Sequence, residues 1–130
     1  MAVTAGPDQD WATAWAATVV RIKRAGAVPV VIPDTPVARR DVPACLAAHP
    51  AAIRQCHLDV YKSLYLPRQR IVRALVLAHG ARVADSTAWF CTPSICPAVI
   101  GGTVVYRDDN HLTSAYAKRL AGVLNDALGQ

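Results

Sequence analysis

Glutamate is missing altogether: all nine acidic residues are Asp, while eleven of the fourteen basic ones are Arg. With the heavy use of Ala, that bias points to a GC-rich coding sequence rather than to a nucleic-acid footprint. The formal charge is +5 and the pI near 9.3, yet there is no continuous Lys/Arg block and no basic stripe interleaved with aromatics. The arginines are scattered from Arg21 to Arg119, so nucleic acid is not an expected partner. Also missing is any run of the roughly eighteen apolar residues that a membrane helix requires. Arg21 interrupts the stretch from Trp11 to Val20, and His79-Gly80 closes the one around Leu75. The segment from Met1 to Asp8 has neither a basic nor an apolar portion, so no secretory signal is read there. No repeat, low-complexity tract or Gly/Ser linker divides the chain, and 53% apolar content over 130 residues suffices for a real core. Residues 1–130 therefore read as one domain or a large piece of one.

What is present begins with four cysteines in two local pairs, Cys45/Cys56 and Cys91/Cys96. An even count in local pairs suits two disulfides, which persist in oxidising compartments. Zinc competes through His57 beside Cys56, although there is no C-x2-C element, and free buried thiols are a third reading. Disulfides without an export signal are in tension. No metal and no cofactor are assigned.

Asp8 or Asp10 is expected to cap a helix carrying Trp11, Trp15, Val19 and Ile22 at helical spacing, with Gly26 as its left-handed stop. Val28 to Ile32 reads as a buried strand ended by Pro33-Asp34-Thr35-Pro36. From Val37 to Tyr65 the pattern suggests a long loop with one or two helical turns. Pro67 then opens a helix through Ile71, Val72, Leu75 and Ala78 that Gly80 terminates. Arg82 to Asp85 and Thr103 to Tyr106 read as strands, and Thr113 as the cap of a terminal helix bearing Tyr116, Leu120, Val123, Leu124 and Leu128. Strands alternating with such helices predict an α/β protein with a parallel sheet.

Ligands of such sheets gather at the carboxyl ends of strands, and three ends here carry polar groups: Asp34-Thr35, Asp85-Ser86 and Arg107-Asp108-Asp109-Asn110-His111. The third is the richest. An Asp that holds one imidazole nitrogen leaves the other free to deprotonate a hydroxyl, the base and orienter of a Ser-His-Asp triad. The competing reading is a turn in which Asp108 or Asp109 satisfies backbone N–H groups and His111 is solvated. Ser63, Ser86, Ser94 and Ser114 read as structural, because no G-x-S-x-G elbow presents any of them. His49, His57 and His79 read as non-catalytic, and Trp11, Trp15 and Trp89 as core or cleft wall.

Phe90-Cys91 through Cys96-Pro97, Val99-Ile100-Gly101-Gly102, and Val104 through Thr113 with Tyr116-Ala117 resemble the final block of SGNH (GDSL-like) hydrolase/acyltransferase domains. More specifically, they resemble the SGNH domain fused to bacterial type-3 membrane acyltransferases, which modify envelope polysaccharide, peptidoglycan or glycolipid. Val30 to Pro36, Cys45, Cys56 and His79 to Asp85 fit as well, so the resemblance spans about residues 10–128. It implies a three-layer α/β/α parallel sheet of flavodoxin-like type, incomplete, with about three strands present. It also makes Asp108 the triad acid and His111 the base, with Asp109 the weaker candidate for the acid.

The sequence departs from that family in having no Gly-Asp-Ser block and no oxyanion Gly and Asn in the right places. The expectation is the C-terminal portion of an SGNH O-acyltransferase/esterase domain, inactive alone, acting on an acyl-ester or carbohydrate substrate at the extracytoplasmic face. An upstream membrane acyltransferase domain is an expected partner, and an exposed sheet edge invites a homodimer. The alternative is a non-catalytic envelope-binding module derived from such a domain.

Overall fold

Proline at the start of a helix has no N–H to leave unpaired, and Pro7 opens α1 (Pro7–Arg24) in the computed structural model, which describes residues 6–129. The reading of the N-terminal segment as lacking a signal rests largely on residues 1–5, outside the described residues. The capping expectation is corrected. Gly6 is the N-cap and no side chain caps it, because Asp8 turns aside to accept from Arg68 Nε at 2.7 Å. Gly26 follows the helix with a φ of +83°, the left-handed stop foreseen.

The described chain forms two compact units. In the first, α4 (Leu66–Ala78) carries Pro67 in its first turn and is followed by Gly80 at a φ of +86°. Asp8 meets Arg68 near the starts of α1 and α4, and Lys23 Nζ donates to His79 O at their ends, so the two helices run parallel. Each leads into a strand, and these strands pair in parallel: β1 (Val30–Val31) with β3 (Arg82–Val83), in the register Val30 to Arg82 and Val31 to Val83. Val19, Val31, Val76 and Ala81 form the buried core there, with Trp15, Val72 and Val83 packed on it. Val76→Ala removes two methyl groups from a fully buried position and is expected to cost about 2 kcal/mol, read as a lower urea midpoint at unchanged slope. Trp11, by contrast, is not core: it is 52% exposed, with the Arg68 guanidinium 5.3 Å from its ring centroid.

The second unit comprises residues 34–64 and 85–129. Its first stretch, expected to be mostly loop, contains α2 (Val42–Ala48), a 3-10 turn (Ile53–Cys56), β2 (Leu58–Asp59) and α3 (Val60–Leu64). Asp41 caps α2 by accepting from Ala44 N at 2.9 Å. After α5 (Thr87–Phe90), β4 (Ile95–Cys96) pairs antiparallel with β2. Both disulfides lie in this unit, Cys45–Cys56 and Cys91–Cys96, which settles the cysteine question in favour of the first reading.

A correction concerns Thr103 to Tyr106, expected as a strand of the parallel sheet. β6 (Thr103–Val104) instead pairs antiparallel with β5 (Val99–Ile100). The reason is local. Gly101 and Gly102 have φ of +55° and +75°, a two-residue turn that only a tight hairpin uses, and a parallel crossover needs a dozen or more residues. The terminal helix is split into α6 (Ser114–Arg119) and α7 (Ala121–Leu128) at Leu120, whose N–H is shared between Tyr116 O and Ala117 O, both at 3.2 Å. The architecture is thus mixed α/β with small sheets, one of them parallel. Among the described residues no helix is long and apolar enough to cross a membrane.

Candidate active site

The chain leaves β6 through buried Val105 and Tyr106, turns, and comes back antiparallel: Tyr106 bridges to Leu112, Arg107 N donates to His111 O at 3.0 Å, and Thr113 N donates to Val105 O at 2.9 Å. Residues 107–111 are therefore the tip of a short return whose base is fixed in the core. Burial raises the Tyr106 phenol above its ordinary pKa, keeping it neutral under the turn. On the far side, Thr113 Oγ1 donates to Val104 O at 2.6 Å and accepts from Tyr116 N at 3.1 Å, which caps α6 as expected. The Tyr116 hydroxyl in turn donates to Trp89 O, tying α6 to the end of α5, and the Tyr116 ring lies 5.9 Å from that of Phe90.

At the tip, Asp108 accepts with both oxygens. Oδ1 takes Asn110 N at 2.9 Å and His111 N at 2.7 Å, while Oδ2 takes His111 Nδ1 at 2.8 Å. Arg107 Nε stands 3.5 Å from the same Oδ2. The Asn110 amide foremost, then the His111 amide and imidazole, hold the Asp108 carboxyl well below the usual carboxylate range. An ionised carboxylate can only accept, so Nδ1 carries the proton and the lone pair lies on Nε2. The imidazole side chain is 62% exposed, which leaves that nitrogen open to a reacting group. Asp108 therefore closes the turn with one oxygen and bonds the His111 ring with the other.

Asp109 has a different part. Its carbonyl accepts from Ala38 N at 2.7 Å and Arg39 N at 3.2 Å, so the loop preceding α2 clamps the tip. Arg39 reaches that position with a φ of +59°, a left-handed conformation that is costly for a residue with a side chain. The clamp was not foreseen, and Arg107, named within the strand-end cluster, had been given no role there. The sequence around Arg39-Arg40 offers no periodic or motif signal that could have found the clamp.

The other strand-end candidates serve local structure. Asp34 Oδ1 accepts from Thr35 N at 2.8 Å, and Asp85 Oδ1 accepts from Thr87 N at 3.0 Å, at the entry to α5. Ser63 and Ser86 are buried; Ser94 and Ser114 are exposed, Ser114 being the first residue of α6. His79 Nδ1 lies 2.8 Å from Leu75 O within its own helical turn. A groove of about 530 Å³ along α1 and α4, lined among others by Ala16, Val20 and Leu75, contains none of the candidate site residues.

A family model described as SGNH domain (fused to AT3 domains) matches residues 2–126, almost the whole chain. The chain belongs to that SGNH family. No curated protein and no solved structure matches it. Membership points to a hydrolase- or acyltransferase-like domain, and fusion to AT3 domains fits a membrane-protein parent. In this SGNH domain, the paired Asp108 and His111 sit inside the stretch on which the resemblance was strongest.

Proposed function

We propose that this SGNH domain supplies the acid–base half of an acyl-transfer triad, with His111 as general base, Asp108 as its orienter, and the serine nucleophile contributed by residues outside this sequence. The observation that carries the reading is the 2.8 Å bond from His111 Nδ1 to Asp108 Oδ2, with Nε2 left available. A serine placed at Nε2 would lose its proton to His111 as it attacks an ester, and the imidazolium would then protonate the leaving group; the acyl group passes to water or a sugar hydroxyl. The substrate class we assign is acyl esters of envelope polysaccharide, peptidoglycan or glycolipid, with an AT3 membrane domain as the partner. The parallel β1–β3 pair fits part of a three-layer α/β/α sheet, and its open edges suit either the rest of that sheet or a second copy.

Fluorophosphonate labelling and p-nitrophenyl acetate turnover test this proposal. The chain alone is expected to show neither, while the same chain joined to a Gly-Asp-Ser-bearing SGNH segment is expected to label at that serine. His111→Ala should then slow labelling by about 10³ or more. Labelling of the joined protein that ignores His111→Ala would refute the acid–base role and favour the non-catalytic binding module, which the absence of an accessible elbow serine also suits.

A further inference from the structure

Positive charge is unevenly divided between the two units. The unit that holds α1 and α4, residues 1–33 and 65–84, carries seven Lys or Arg against two Asp, while the other carries seven against seven. The whole excess of +5 therefore belongs to the unit built around the parallel helices. The same unit holds the groove of about 530 Å³, a size that suits a small-molecule ligand. Thr13, Ala17, Val20 and Arg24 are three or four residues apart in α1, so one face of that helix walls the groove. Leu75 and His79, one turn apart in α4, wall it opposite.

Ala16, Ala17, Val20 and Leu75 give the groove an apolar lining, whereas Arg21, Arg24 and His79 gather at the end where both helices finish. Among the described residues neither Arg21 nor Arg24 meets a carboxylate. The carbonyl end of α4, which would repel an anion, is covered by Lys23, whose Nζ donates to His79 O at 3.4 Å. An apolar lining that ends in two unpaired cations fits an amphiphile with an anionic head. Fusion of this family to AT3 domains, which fits a membrane-protein parent, favours a membrane lipid over an acidic peptide as its source.

We propose that the groove between α1 and α4 is a site for an anionic phospholipid, with an acyl chain against Ala17, Val20 and Leu75 and the phosphate at Arg21 and Arg24. Neither Asp108 nor His111 takes part, so the site stands or falls apart from the acid–base reading.

Co-sedimentation of the chain with vesicles tests it, phosphatidylcholine alone against phosphatidylcholine mixed with phosphatidylglycerol. Binding is expected only to the mixture, and it should weaken with added salt. Arg21→Gln/Arg24→Gln should lower the affinity roughly 30-fold, because each cation close to an anionic lipid surface contributes about fivefold. Lys62→Gln/Arg70→Gln removes the same charge from exposed positions off the groove and should cost less than about threefold. Ala17→Gln keeps the charge and suits a helix but fills the groove, and should cost about tenfold, the loss of roughly two buried chain methylenes. Every substituted side chain is exposed, so circular dichroism should show each variant folded. No binding to either vesicle, equal binding to both, equal losses in the two double variants, or indifference to Ala17→Gln would each overturn the proposal. Light scattering covers another occupant: a wild-type dimer that Ala17→Gln disperses would assign the groove to a second copy and overturn the lipid site.

Discussion

Asp108→Asn is expected to leave the 107–111 turn folded and yet to cost on the order of 10⁴ in acyl transfer once a nucleophile is supplied, as the same change does in other Ser-His-Asp triads. The asymmetry follows from what each oxygen does. The Asn side chain keeps one carbonyl oxygen, enough to accept the Asn110 and His111 amides now held by Oδ1. In place of Oδ2 it presents an NH₂ to His111 Nδ1, and two donors cannot face each other. His111 must then carry its proton on Nε2, where it can no longer act as a base. The chain by itself suffices to check the cause: long-range ¹H–¹⁵N NMR should report Nδ1–H in the wild type and Nε2–H in the variant. An unchanged tautomer would mean that Asp108 does not set it.

The same substitution has a signature in acid. The Asp108 carboxyl is lowered in the folded state by hydrogen bonds it lacks when unfolded, so its contribution is present above the unfolded value of about 3.9 and disappears as pH falls toward the folded value. Asn does not titrate. The gap in Tm between wild type and Asp108→Asn should therefore shrink as pH falls below about 4. A gap that widens below about pH 4 would contradict the assigned hydrogen bonds.

How much of this was legible depended on the range of the interaction concerned. Asp108 and His111 are three residues apart, and one turn brings them together whatever surrounds it. The end of α1 and both boundaries of α4 were readable for the same reason, from Gly26, Pro67 and Gly80, each acting on its own backbone. The two cysteine pairs were legible because only short loops had to close. Local rules misled where two of them competed. The β-branched run Thr103 to Tyr106 has the composition of a buried parallel strand, but Gly101-Gly102 before it commits it to a hairpin. Asp8 looks like a cap, but a cation sixty residues away takes it. The Asp109 clamp was illegible because its donors are backbone amides, which carry no residue signature, and its acceptor is a carbonyl.

That clamp gives the Cys45–Cys56 disulfide a reach beyond its own loop. Replacing both cysteines by Ala, which leaves no hydroxyl in the buried Cys56 position, is expected to cost about 3 kcal/mol from the lost loop constraint over a separation of 11 residues. The shorter Cys91–Cys96 link, separated by 5, should cost about 2 kcal/mol by the same entropy relation. Against a total stability on the order of 5–15 kcal/mol, the first loss is large. Its consequence should travel. The disulfide fixes α2, the residues just before α2 include Ala38 and Arg39, and their amides hold Asp109 O within the 107–111 turn. Hydrogen exchange at the Ala38, Asn110 and His111 amides should accelerate in Cys45→Ala/Cys56→Ala by more than the global loss alone produces at the amides of β5 and β6. Equal acceleration everywhere would mean the disulfide stabilises the unit without steadying the site. Selective acceleration at the turn would make the Cys45–Cys56 link the remote support of the Asp108–His111 pair.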